Sequence, residues 1–174
     1  MIFLSVFPAT PFLPETVAAD RFDANPQTSA SELPQKVTVH LYFSDLENTF
    51  LFTEERTLLH SYDPAEFAQI IIENLIQGPR ENLMRTIPVG TAVRAVYVAE
   101  DKTAYVDTTA ALKDAHPGGI QSELMTIFSI VNSLILNIPD IKTVKILIDG
   151  HESTTLAGHL DLRFPFKADM LLTR

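Results

Sequence analysis

The chain has 174 residues, a formal charge of -9 and no cysteine. That charge argues against a nucleic-acid binder, since phosphate neutralisation needs lysine and arginine in excess, and it disfavours docking on anionic lipid. The missing cysteine removes disulfides, thiolate chemistry, cysteine metal sites and a lipid-modified N-terminal cysteine together.

At 46% hydrophobic content the length suits one domain with a real core. No apolar run approaches the roughly twenty residues that a membrane-spanning helix needs, so membrane attachment is expected only through an upstream signal or anchor. Residues 1–19 read as a truncated export signal. Ile2 to Phe7 is apolar, and Val17 and Ala19 fit the small-residue positions before a cleavage at Asp20, although no basic residue precedes the apolar run. Residues 20–35 are rich in Asp, Asn, Ser, Thr and Pro without a period, the composition of a disordered linker. A single domain is expected over residues 36–174.

Val37, Val39, Leu41 and Phe43 alternate with Thr38, His40 and Tyr42, which predicts a strand with one buried face. Phe50 to His60 is a second extended segment. Glu54, Glu55 and Arg56 in its middle predict an edge strand with charge exposed to solvent. Asp63 is an N-cap, Pro64 fits the first helical position and Glu66 completes a capping box, with Tyr62 and Phe67 placed for a hydrophobic staple. The helix that follows buries Ala65, Ala68, Ile71, Ile72, Leu75 and Ile76 and stops at Gly78-Pro79. Ile87 to Gly90 turns into a hairpin of Val93–Ala99 and Thr103–Thr108, and Ala110 to Leu112 suggests a helical turn.

Gly118-Gly119 opens a long helix in which Leu124, Ile127, Phe128, Val131, Leu134, Ile135 and Ile138 form one apolar stripe ended by Pro139. Lys142 to Ile148 then reads as a strand closed by the turn pair Asp149-Gly150. His151 to Ala157 is expected as a polar loop, and Leu160 to Phe164 as a last short strand. The outer side of the long helix is unusual. Ser122, Thr126, Ser129 and Ser133 lie together beside Met125, Ile130 and Leu136, and Glu123 is its sole charge. Such a side is either the contact with the first helix or a docking surface, for which Ser122, Met125, Thr126, Ser129, Ser133 and Leu136 are the candidate residues. The element order predicts an α+β two-layer sandwich, a largely antiparallel sheet with two long helices packed on one face.

A set of motifs in this order resembles the GerMN domain family of sporulation and spore germination proteins. They are Ala65 to Pro79, Ile87 to Thr91, Ala104 to Asp107, Gly118-Gly119, Glu123, Val131 to Leu134, Val144 to Gly150 and Gly158 to Leu162. Together they cover Val37 to Phe166, in one copy where the namesake carries two. The resemblance implies an extracytoplasmic bacterial module, a fold similar to ring-building modules of secretion and sporulation complexes, and no known catalysis.

The residues themselves offer no catalytic, cofactor or metal site. None of the five histidines falls at a metal-binding helical spacing. Asp149, His151 and Glu152 form the best acidic and imidazole cluster, but a solvated turn explains them. His159 and Asp161 at i, i+2 would share a strand face; an ion pair or His–carboxylate hydrogen bond between them is one reading, and a structural hydrogen bond to a neighbouring loop is the expected one. Gly118-Gly119 lacks the rest of a phosphate loop, and the serines lack a nucleophile elbow. Asn132, Gly158, His159 and Asp161 are therefore expected to form a structural polar motif. The expected function is a non-catalytic envelope module that binds a protein partner or itself. A peptidoglycan-binding module is the alternative, with Tyr42, Tyr97 and Tyr105 as its aromatic residues and the absence of tryptophan against it.

Overall fold

A computed structural model describes residues 35–174; the expected export signal and almost all of the expected linker lie outside the described residues. The elements are β1 (Lys36–Ser44), β2 (Leu51–Leu59), α1 (Pro64–Gln77), β3 (Val93–Val98), β4 (Thr103–Thr108), α2 (Ala111–Asp114), α3 (Ile120–Ile135), β5 (Thr143–Ile148) and β6 (His151–Glu152), with a 3-10 turn at Met170–Leu172. The fold is α+β. Strands β1 and β2 make an antiparallel hairpin, and β3-β4-β5-β6 make a separate four-stranded sheet. Among the strands of the described residues, β4 and β5 alone pair in parallel, because the chain between them crosses over through α2 and α3.

The period-2 faces of β3, β4 and β5 put Val96, Ala104, Val106, Val144 and Ile146 on the side of the helices. There they join Ile71, Ile72 and Leu75 of α1 and Ile127, Ile130, Val131 and Leu134 of α3 in one buried cluster, which also takes Val39, Leu41 and Phe43 of β1. The helix α3 is shorter than its apolar stripe. It ends at Ile135, and Ile138 reaches the core from the following turn.

Asp63 caps α1 by accepting from Ala65 N–H at 2.8 Å, as its position predicts. The capping box closes indirectly. Ser61 stands between Glu66 and the Asp63 N–H, bonding both, and His60 replaces the expected Tyr62–Phe67 staple by packing edge-on against both rings.

Of the three charges of β2, Glu55 is exposed as expected, but the other two are not. Glu54 and Arg56 are buried and paired at 2.6 Å. The last turn of α1 carries no basic residue, so its carbonyls need donors from elsewhere. Arg56 supplies them to Asn74 and Gly78, Arg85 supplies Ile76 and Gln77, and Glu54 accepts from the N–H groups of Arg80 and Glu81. Gly78 has φ 89°, and a Cβ there would lie 2.6 Å from the Arg85 guanidinium. Only glycine fits.

Two boundaries differ at the C-terminal side. His151–Glu152 is a short strand on β5 rather than loop. Leu160 to Phe164 is not a strand, because Asp161 bonds the Arg163 N–H at 2.9 Å and turns the chain. Phe166 then returns to bond Val144.

Candidate functional site

The polar side of α3 holds the rest of the domain in place. β1 is an edge strand, and its His40, Tyr42 and Ser44 point their backbone groups away from β2. Asn137, just past α3, accepts from His40 N–H at 2.9 Å and donates to His40 O at 2.7 Å, so the amide mimics a neighbouring strand. Ser133 Oγ accepts from Tyr42 N–H at 3.0 Å, and Ser44 exchanges both backbone bonds with Met84. Asn132 repeats the amide device on the other side, bonding the N–H and C=O of Asp169 at 3.0 Å each. Thr126 donates to Thr86 O at 2.6 Å, and Ser122 accepts from Asn48 at 3.1 Å. A helix surface that satisfies strand and loop backbone in this way needs no solvated charge.

This corrects the expectation of a docking surface on α3. Met125, Thr126, Ser129 and Ser133 are buried: Met125 clusters with Tyr42 of β1 and Leu51 of β2, Ser133 bonds Tyr42 N–H, and Thr126 bonds Thr86 O. Ser129 turns inward and bonds Thr126 O at 3.0 Å. Ser122 is half-buried, and Leu136 alone of the six is exposed, at 41%. The four buried residues cannot meet a partner in the folded protein.

Glu123, the one charge of α3, has 0% exposure. Its carboxylate accepts from the N–H groups of His159 and Leu160 at 3.1 and 2.9 Å, and His159 Nδ1 lies 2.7 Å away. Burial alone would raise the Glu123 pKa, but the backbone donors of the 157–160 loop and the His159 ring hold it below its usual value. Gly158, at φ 110°, takes the left-handed turn that aims those two N–H groups at one carboxylate. The predicted motif is thus divided: His159 partners Glu123 rather than Asp161, Asn132 holds Asp169, and Asp161 pairs with Arg163 at 2.8 Å, which keeps the Asp161 pKa at about 2.

Beside Glu123, His116 Nε2 lies 3.0 Å from Thr126 Oγ1, while its Nδ1 accepts from Gly118 N–H at 3.0 Å. Thr126 gives its own proton to Thr86 O, so Nε2 carries the imidazole proton. Burial lowers the His116 pKa against the opposing pull of Glu123. Glu123 appeared in the sequence as a lone charge, whereas the roles of His116 and Asn137 had no sequence signal because their partners lie far along the chain.

The other candidate cluster does not assemble. His151 Nδ1 contacts Asp149 O, Glu152 pairs with Lys145, and the Asp149 carboxylate takes Arg94. Among the described residues no group of three metal-ligating side chains occurs. Two concavities of 120 and 90 Å³ fall well below the roughly 300 Å³ of ordinary small-molecule pockets. Of the three tyrosines, Tyr42 is buried, but Tyr97 and Tyr105 are register partners on the sheet face turned away from the helices.

The family description "Germane: Sporulation and spore germination" matches residues 40–154. Among solved structures, the first GerMN domain of the sporulation protein GerM from Bacillus subtilis aligns at 22% identity and TM-score 0.60, over 78% of this chain and 98% of that one. A candidate lipoprotein from Clostridium perfringens aligns at 26% identity and TM-score 0.54, over 79% and 91%. The tandem GerMN domains of the Bacillus subtilis protein align at 20% identity and TM-score 0.56 over 78% of this chain, which spans 46% of the tandem. No curated protein matches the chain.

Proposed function

The chain belongs to the Germane family of sporulation and spore germination, and from that premise we propose that it is a non-catalytic module of the bacterial envelope that acts by binding a partner protein or its own copies. The occupancy of Glu123 carries this reading. Its two oxygens are taken by two backbone N–H groups and one imidazole, and a carboxylate so saturated is a weak base built to hold a loop. Likeness to the candidate lipoprotein supports an exported, envelope-associated location. Photo-crosslinkers placed at Tyr97, Leu171 and Thr57 in fractionated cells test both parts. The expected result is one adduct of fixed mass in the extracytoplasmic fraction. Confinement to the cytosol, or no adduct from any position, overturns the proposal.

A second reading, binding of wall glycan, is favoured by Tyr97 opposite Tyr105 on the open sheet face. Tyr97→Ala is expected to reduce retention on purified peptidoglycan about tenfold if one stacked ring contributes about 1.4 kcal/mol. Absence of retention by the unaltered protein removes this reading.

A further inference from the structure

Resting on the protein-binding role above, we infer that the outer edge of β2, from Thr53 to Leu59, receives an extended basic segment of a partner protein as a third strand of the hairpin. The β1–β2 ladder runs from Lys36↔Leu59 to Ser44↔Leu51 without a register shift. His60 N–H bonds Gln35 O at 2.7 Å and Asp45 N–H bonds Phe50 O at 2.9 Å, so the even-numbered residues of β2 face β1. Leu51, Thr53, Glu55, Thr57 and Leu59 therefore aim their N–H and C=O groups outward. Among the described residues, Leu51 alone of these has a backbone partner there, the Arg174 N–H at 2.9 Å.

That one bond shows what the edge accepts. Thr173 bridges Leu51 in parallel, as the first rung of a strand, and the Arg174 guanidinium lies 3.9 Å from the centre of the Phe50 ring. An extended, arginine-bearing segment already sits at the start of the edge. The other edges leave less room for strand addition. α3 and Met84 seal β1, a register shift between Val93 and Ala95 distorts β3, and β6 has two residues. β2 carries one exposed charge, Glu55, and the inward-facing Glu54 and Arg56, but neither proline, lysine nor bulge.

Charge selects the partner. Thr53, Thr57 and Leu59 are exposed and uncharged, and Glu55 is the exposed charge among them. A second copy would bring the same Glu55 and another charge of -9, whereas a basic strand places opposite charge across from Glu55.

The probe is a blocked nine-residue peptide alternating threonine or valine with arginine. Two companions carry N-methyl groups on alternate residues or glutamate in place of arginine. Amide exchange and titration on the full chain are the readouts. The arginine peptide is expected to slow exchange at Thr53, Glu55 and Thr57 about tenfold, and to bind about tenfold better than either companion. Thr57→Pro removes an outward N–H and no ladder bond, so it should weaken binding about tenfold with Tm unchanged. Glu55→Lys should transfer the preference to the glutamate peptide. Equal binding of the N-methylated peptide overturns the assignment, as does protection at another surface. So do these amides already being slow in the protein alone, where the chain would be covering itself, and dimerisation through β2. Failure here leaves the cellular crosslinks standing and moves the contact to another face; absence of crosslinks removes the module reading itself.

Discussion

The surroundings of Glu123 favour its carboxylate, and those of His116 favour its neutral ring. Glu123→Gln keeps the volume but turns an amide NH2 toward the His159 and Leu160 N–H groups. It should cost about 2–4 kcal/mol in urea unfolding. His159→Ala, with its ring half exposed, should cost about 1 kcal/mol. The pKa directions set the pH response. The folded His116 pKa lies below its ordinary 6.5. The unfolded chain therefore takes up a proton that the folded one refuses, and stability falls as pH drops below about 6.5. Glu123, Glu54 and Asp161 are also lowered; their stabilisation is present above the ordinary carboxylate pKa and is lost as pH falls through the folded values. Two stages of acid destabilisation are expected in urea midpoints measured from about pH 7 to 3. His116→Gln should remove the upper stage and leave the lower. An upper stage that persists in that variant contradicts the assignment to His116.

At the scale of the element, α3 carries two kinds of information on one helix. Its apolar stripe is written in the 3.6-residue period and was readable as such. Its polar side obeys no period, because each residue answers a backbone group brought in by another segment. Asn137→Ala leaves His40 N–H and C=O without their partners and should cost about 1–3 kcal/mol, with faster amide exchange at His40 and little change in β4. Ser129→Arg, a natural charge probe for a docking face, should instead unfold the domain. Ser129 has 0% exposure, and an unpaired guanidinium there costs several kcal/mol. A folded Ser129→Arg protein by circular dichroism would contradict the buried placement.

For the whole molecule, the two sheets share one core. Val39, Leu41 and Phe43 of the hairpin cluster with Ile127, Ile130, Val106 and Ile146, so a single urea transition is expected for hairpin and four-stranded sheet together. Separate transitions reported by tyrosine fluorescence and by β1 amide exchange would show otherwise. The sequence by itself determined the α+β class, both long helices, the capping of α1 and nearly every strand, because period and cap chemistry are local signals. It also carried the family through the order of its motifs. Only the tertiary structure decided that Glu54 and Arg56 turn inward, that the Ser and Thr side of α3 seals β1, and that His159 meets Glu123 instead of Asp161. Those pairings join residues far apart in the chain, and a polar side chain bears no local mark of whether its partner is water or a distant backbone group.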